Sequence, residues 1–299
     1  MIKSLVTGAA GFIGSNLVDR LLSMGHEVVC VDNESSNSTD HFNWNKDCSN
    51  HKVDICDFQS ISPLFKGIDY VFHLAAESRI GPTIENPVKA VMTNSLGTAN
   101  VLQCSRLNDV KRVLYSSTSS AYGTNPVPNV ETQPDDPLNP YSVSKVSGEK
   151  LCSMYTHLFG LKTVIFRYFN IYGNREPTKG QYAPVIGIFR RQKAAGQSLT
   201  VVGDGLQRRD FTNVSDVVEA NVLSALSHIE EEHFGTVFNI GTGKNHSVLE
   251  IAKIISKDIE FIPQRPGEMR ETLADNSKAR NILGWEPKVT LEDYLATVS

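Results

Sequence analysis

Short runs of Val, Ile, Leu and aromatic residues recur through the first half of the chain, at residues 4–7, 27–31, 70–74, 112–117 and 163–167. Unbroken apolar runs of this length predict strands buried on both faces. Between them, residues 12–24, 87–107 and 142–159 space apolar side chains three and four apart, as amphipathic helices do. Strand–helix alternation of this kind predicts an α/β fold with a parallel sheet covered on both faces. Beyond residue 170 the pattern loosens into loops at 173–180 and 203–209 and a proline–glycine turn at 265–268. The expectation is a core over residues 1–169 and a smaller part over 170–299, with residues 237–240 as a candidate to return to the sheet. The polar run 33–50 reads as a surface loop, and neither an internal repeat nor a low-complexity tract interrupts the chain.

The first run is followed at once by Gly8-Ala9-Ala10-Gly11-Phe12-Ile13-Gly14, which opens the first helical stretch. Glycines there permit a tight turn and let backbone N–H groups approach a pyrophosphate, whose charge a helix N-terminus favours. A glycine triplet alone is weak, since a turn packing a helix on a strand needs the same residues. Asp32 strengthens it. It ends the second strand eighteen positions beyond Gly14, where a carboxylate accepts from an adenosine ribose and repels a 2′-phosphate, favouring NAD over NADP. On its own, Asp32 could equally cap a turn with Asn33.

Tyr141 and Lys145 stand four apart on a helical stretch, so they share one face a turn apart. A neighbouring ammonium stabilises phenolate and brings a tyrosine toward general-base service. Upstream, Tyr115-Ser116-Ser117-Thr118-Ser119-Ser120-Ala121-Tyr122-Gly123 sets hydroxyls at a strand's carboxyl end, where open α/β sheets collect their active-site groups.

Together these motifs resemble the extended short-chain dehydrogenases/reductases that modify nucleotide sugars, and most closely the UDP-sugar 4-epimerases. The glycine spacing, His73-Leu74-Ala75-Ala76, the Tyr141/Lys145 pair, Arg167-Tyr168-Phe169-Asn170-Ile171-Tyr172-Gly173, Gln207-Arg208-Arg209-Asp210-Phe211 and Thr272-Leu273-Ala274-Asp275 carry the resemblance along nearly the whole chain. It implies a Rossmann-type NAD-binding domain over 1–169 and a nucleotide-sugar-binding part over 170–299. It implies NAD held by Gly8, Gly11, Phe12, Ile13, Gly14, Asp32, Asn33, Asp54, Ile55, Leu74, Ala75, Ala76, Tyr141, Lys145 and Tyr168. Tyr141 would be the base, Lys145 would orient the nicotinamide ribose, and Thr118, where most relatives carry serine, would bridge Tyr141 and the sugar O4. The UDP-sugar would meet Asn170, Arg209 and Arg265 at its diphosphate, Glu268 at its ribose and Thr200 and Val202 at its base. On the residues alone, Arg209 and Arg265 are equally suited to pair with Asp210 and Glu268. Thr272 falls where relatives with tyrosine exclude N-acetyl sugars, so a threonine leaves room for an acetamide. The implied reaction oxidises C4 to a ketone, turns the sugar and reduces the other face, without net redox.

Two neighbouring activities compete. A 4,6-dehydratase needs a carboxylic acid beside the hydroxyl residue, and Thr118 is followed by Ser119, Ser120 and Ala121. Epimerisation or decarboxylation of a UDP-uronic acid stays open, because Arg79 offers a cation near the sugar. A non-catalytic NAD-binding sensor or scaffold is the alternative from another class, and it has no use for the Thr118/Tyr141/Lys145 set.

Composition narrows the setting. Lys and Arg number 29 against 33 Asp and Glu, giving net charge −4, so no global field recruits nucleic acid or anionic membrane. No apolar run is long enough to span a bilayer. The five cysteines are odd in number and scattered, without metal-ligand spacing, and His73 lacks a second histidine beside it, so no metal is expected. With an opening strand instead of a leader, the expectation is a cytoplasmic enzyme. Apolar stripes near 92–107 and 144–157 match the pair that relatives use in a four-helix homodimer contact.

Overall fold

The computed structural model describes residues 1–36, 41–178, 183–263 and 270–298. Seven parallel strands form one sheet: β1 (Lys3–Thr7), β2 (Glu27–Asp32), β3 (Ser49–Lys52), β4 (Tyr70–His73), β5 (Arg112–Thr118), β6 (Thr163–Tyr168) and a later strand, Val237–Ile240, in the order Val237–Ile240, β6, β5, β4, β1, β2, β3. The order reverses at β1, and the crevice beyond the carboxyl ends there is where open α/β sheets bind ligands.

The central strands are apolar throughout because both faces are covered. Leu5, Val29 and Val31 join one buried cluster while Val6, Val28 and Cys30 join another on the opposite face. Each such side chain, fully buried, contributes about 2 kcal/mol. The helices of the first half are α1 (Phe12–Ser23), α2 (Phe58–Ile61), α3 (Ile80–Glu85), α4 (Pro87–Val91), α5 (Thr98–Leu107) and α6 (Pro140–Phe159). Leu17, Val18 and Leu21 of α1 pack on one face of the sheet, and Val101 and Leu102 of α5 with Cys152 and Tyr155 of α6 pack on the other.

The second half adds β7 (Ile171–Tyr172), α7 (Val185–Ala194), β8 (Leu199–Val202), β9 (Arg208–Asp210), β10 (Thr212–Asn213), α8 (Val214–Leu226), β11 (Val237–Ile240), β12 (Asn245–Ser247), α9 (Val248–Ile255), β13 (Ile259–Ile262) and α10 (Leu291–Val298). Three two-stranded pairs, β7 with β10, β8 with β13 and β9 with β12, stand above the carboxyl edge of the sheet's register. β11 returns to the sheet beside β6, as residues 237–240 suggest, and Val217, Val218 and Val222 of α8 fill the cluster that also holds α1.

Two expectations change. The polar run 33–50 is not loop to its end, because Ser49 and Asn50 begin the edge strand β3. An edge strand hydrogen-bonds on one side only, so it forms without an apolar code. The stretch 87–107 is not one α-helix either: a π-helical turn, Met92–Gly97, separates α4 from α5. Apolar spacing does not register such a bulge, which is often found at functional sites. Here it turns Asn94 inward, and the Asn94 amide donates to Glu77 O (3.0 Å) and Ser144 Oγ (2.9 Å) while accepting from Glu77 N (2.8 Å).

Candidate active site

The glycine turn between β1 and α1 opens onto a cavity of about 590 Å³. Gly8, Gly11, Phe12, Ile13, Gly14, Asp32, Asn33, Ile55, Leu74, Ala75 and Ala76 line it, together with Thr118, Tyr141, Lys145, Tyr168 and Asn170. A Cβ on Gly14 would sit 2.0 Å from Gly8 O, so only glycine lets the helix start this close to the turn. Asp32 closes the far end. Its oxygens accept from Ala10 N (3.1 Å) and Glu34 N (2.8 Å), and burial pushes its carboxyl up against the pull of these amides. The bare glycine cradle at a helix start, with a carboxylate at the end of β2, fits a dinucleotide with a free 2′-hydroxyl. Asp54, expected at the adenine, does not reach the cavity wall. It accepts instead from Asn33 Nδ2 (2.9 Å) and Cys56 N (2.8 Å), so it acts on the cavity through Asn33.

At the other end α6 begins two residues earlier than its apolar spacing suggests. Asn139 Oδ1 accepts from Ser142 N (3.0 Å), Ser142 Oγ accepts from Asn139 N (3.2 Å), and Pro140 fills the first position. This cap fixes Tyr141 in the first turn and Lys145 in the next, both on the cavity side. Burial raises the Tyr141 phenol, while a hydrogen bond with Thr118 and the charge of Arg79 draw it back down. Thr118 Oγ1 already accepts from Ser120 N (3.1 Å), which leaves its own proton to donate. Lys145 is 2% exposed. Burial lowers its ammonium to about 7 against the opposing pull of Cys152 and Glu149, and its Nζ lies 4.2 Å from the centre of the Tyr115 ring.

A second cavity of about 290 Å³ shares Arg79, Asn170, Ile171, Ala183 and Pro184 with the first, and Thr200, Val202, Gln207 and Arg209 also line it. Thr200 is pinned there by Gln192, whose Nε2 donates to Thr200 Oγ1 (2.8 Å). Asp210 is not the partner that balances Arg209. It is fully buried, and its carboxylate accepts from Thr242 N and Oγ1, Gly243 N and Ala274 N at 2.7–3.1 Å, with burial raising it. Arg209 Nη1 donates to Arg208 O (2.9 Å). Arg265 and Glu268 lie outside the described residues.

Asn170 stands at φ +37°, a conformation asparagine tolerates better than most residues. Its Nδ2 donates to Asp210 O (2.9 Å) and to Thr272 Oγ1 (3.1 Å). Both amide protons are thus committed within the protein, and Asn170 lines both cavities. Thr272 is itself buried and lies behind Asn170, off the cavity wall.

The motifs named several supporting residues without showing what they hold. His73 is fully buried, with Nδ1 2.7 Å from Thr7 Oγ1 and Nε2 2.9 Å from Thr98 Oγ1, and burial lowers it to about 3. It is a strut between β4, β1 and α5. Tyr168 OH accepts from Ser116 Oγ (3.1 Å) and Asn221 Nδ2 (2.8 Å), holding its ring at the cavity. Beside β5, Arg167 grips Glu149 through Nε (2.9 Å) and Nη2 (2.6 Å), and Glu149 Oε1 accepts from Ser117 Oγ. Thr93, Ser116 and Gln207 also line the cavities. Of these, Gln207 heads the Arg209 motif and Ser116 belongs to the hydroxyl run of β5, whereas Thr93 had no signal.

Known proteins share this fold and much of this sequence. The chain is 36% identical to the UDP-glucose 4-epimerase of Mycolicibacterium smegmatis, over 99% of this chain and 96% of the relative. Among solved structures, the UDP-glucose 4-epimerase of Thermotoga maritima with UDP-glucose matches at TM-score 0.92 and 36% identity, covering 98% of this chain and 96% of that one. The UDP-N-acetylglucosamine 4-epimerase of Methanobrevibacter ruminantium, in complex with UDP-N-acetylmuramic acid, matches at TM-score 0.91 and 32% identity, with 98% and 96% covered. Residues 4–241 match the family as a whole. With its glycine cradle, Asp32 and the Thr118/Tyr141/Lys145 cluster at one cavity, this chain belongs to the NAD dependent epimerase/dehydratase family and uses NAD.

Proposed function

We propose that this enzyme inverts C4 of a UDP-linked hexose, interconverting UDP-glucose with UDP-galactose and UDP-N-acetylglucosamine with UDP-N-acetylgalactosamine. The observation that carries the reading is the convergence of Thr118, Tyr141 and Lys145 on the cavity that also holds the glycine turn, open to a second cavity suited to a nucleotide. Tyr141 takes the proton of the 4-hydroxyl and later returns it. Thr118, whose oxygen accepts from Ser120 N, keeps its proton to donate to the developing phenolate or to O4. Lys145 points its donors at the ribose side of the cavity. NAD, held by the glycine turn and Asp32, would supply the reversible hydride chemistry at C4. The resulting 4-keto sugar turns within a pocket walled by Asn170.

Elimination is not favoured, because the only carboxylate among the described residues lining either cavity is Asp32, at the adenosine end. Thr200 and Val202 border the uracil, and Arg209, with Arg265 and Glu268, holds the rest of the nucleotide. With threonine at 272, behind Asn170 and off the cavity wall, no large side chain reaches past Asn170 into the space an acetamide would need. The exposed apolar residues Val88, Val91, Met92 and Leu96, with Val143, Met154, Leu158 and Phe159 of α6, support a homodimer built on these helices; light scattering on the purified protein measures it. Among the described residues no helix is long and apolar enough to cross a membrane, and we place the enzyme in the cytoplasm. Incubation with each of the four UDP-sugars, followed by proton NMR of the anomeric signals, tests the reaction. Absence of any C4 epimer from all four overturns it.

A further inference from the structure

Lys145 lines the larger cavity yet is almost fully buried, and a desolvated ammonium is costly to keep without a counter-charge. Among the described residues no carboxylate pairs with it. Glu149 stands one turn further along α6, but Arg167 holds both its oxygens and Ser117 Oγ donates to one of them. Burial pushes the Cys152 thiol up, so it carries no charge at neutral pH. From β4, His73 is neutral as well, lowered to about 3 by burial and then by the charge of Lys145 itself. Arg79, ahead of α3, acts on Tyr141, and Asn94 of the π turn is uncharged.

What does face the ammonium is Tyr115 on β5. Its ring centre lies 4.2 Å from Lys145 Nζ, well inside the reach of about 6 Å for a cation–π contact. Three contacts fix that fully buried ring. Its OH donates to Lys145 O (3.1 Å), so one side chain meets Lys145 at both its backbone and its ammonium. α6 crosses the phenol at Gly148, where a Cβ would stand 2.0 Å from the Tyr115 oxygen and 2.5 Å from Cζ. The His73 ring packs beside it, with 5.6 Å between centres. Burial raises the Tyr115 phenol well above its ordinary range, so it remains a neutral ring.

We propose that Tyr115 is the positioning residue of Lys145: its ring face stands in for the missing counter-charge and keeps the ammonium charged and available at the cavity. A carboxylate in that place would accept hydrogen bonds from the ammonium and tie it down. A ring face attracts the charge without taking a donor, so all three N–H groups stay free for a ligand. The inference rests on the reading above, in which Lys145 serves as an ammonium beside Tyr141 and the cofactor.

The test follows the titration of Lys145 by NMR in NAD-free protein whose lysines carry carbon-13 at Cε, its signal identified by its absence from Lys145→Met. Wild type is compared with Tyr115→Phe and with protein carrying trifluorophenylalanine at position 115, a ring of nearly the same shape whose face has lost its negative charge. Tyr115→Phe is expected to titrate close to wild type. The fluorinated ring should lower the Lys145 titration by about 1 pH unit, the scale of a desolvated cation–π contact. With UDP-glucose as substrate, the alkaline limb of kcat/KM should move to lower pH by the same amount, because activity is lost as the ammonium gives up its proton. A fluorinated ring that leaves the titration where Tyr115→Phe has it overturns the inference, for the ring then acts by shape alone. A fall in Tyr115→Phe as large as that with the fluorinated ring overturns it too, and assigns the effect to the hydroxyl bond with Lys145 O. The NMR titration decides the point even if UDP-glucose is not turned over, an outcome that bears on the epimerase reading alone.

Discussion

Gly14→Ala separates steric need from backbone need at the nucleotide turn. Gly14 lies within α1, where alanine is the better helix former by about 1 kcal/mol. The added Cβ, however, would stand 2.0 Å from Gly8 O, 2.8 Å from Gly8 C and 3.0 Å from Ala9 Cα. All three are backbone atoms, so no side chain can swing aside, and α1 must retreat by about 1 Å to restore ordinary contact. Overpacking of this kind costs about 3 kcal/mol, the upper part of its usual range. Helix propensity offsets about 1, leaving roughly 2 kcal/mol and a Tm fall on the order of 4 °C. The retreat also moves the amides that face the pyrophosphate, so NAD affinity drops at least about tenfold. Gly25→Ala is the control: its φ is +80° with nothing within 4 Å of the added Cβ, so it loses about 1 kcal/mol of stability to backbone strain and no NAD affinity. Thermal unfolding and calorimetric titration with NAD read both quantities. A Gly14→Ala protein that binds NAD like the wild type refutes the argument.

Tyr141→Phe should retain NAD and lose at least about 10²-fold in kcat, and near wild-type turnover would remove Tyr141 from the role of base. Nucleotide released by denaturing the purified protein should be NAD by mass, because the Asp32 carboxylate opposes a 2′-phosphate; NADP alone would contradict this. Lys145 titrates at about 7 when folded and near 10.4 when unfolded, so between these values the unfolded chain holds a proton that the folded chain has shed, and stability rises with pH. Lys145→Met in NAD-free protein removes that dependence: its Tm advantage over wild type should be largest at pH 7 and below and shrink toward pH 10, and a pH-independent gap would refute the burial argument. Thr272→Tyr should suppress the N-acetylated pair more than the plain hexoses, whereas Thr272→Val, which removes the acceptor shared by the Asn170 amide and Asp210 N, should affect both alike; equal suppression by both variants would make Thr272 a support and not a gate.

What could be read from the sequence was whatever its chemistry repeats locally. Leu5 and Val6 are both apolar because each faces a different cluster, so the central strands announce themselves. Gly14, Asp32, Tyr141 and Lys145 belong to motifs a few residues long. β3 stayed hidden because its hydrogen bonds need no apolar side chains, and the π turn because it preserves helical spacing. Contacts across long stretches of chain left no local trace. The Asn170–Thr272 bond spans 102 positions, and Asp210 is satisfied by residues 32 to 64 positions away. Hence Arg209 and Asp210, adjacent in sequence, looked like a pair, though folding gives Asp210 four other donors.

Ser116, Ser117 and Thr118 are consecutive on β5, yet each hydroxyl serves a different client: Tyr168 on the neighbouring strand, Glu149 on α6, and Tyr141, the proposed base. Side chains alternate across a strand, so inserting or deleting a single residue in β5 would send every hydroxyl to the wrong address. Loops above the sheet can lengthen without touching this wiring. In-place exchange within β5, such as serine for threonine, keeps this wiring, and so does a change of length beyond Gly123. Only the second can reshape the ground above the sheet while all three hydroxyls stay in frame.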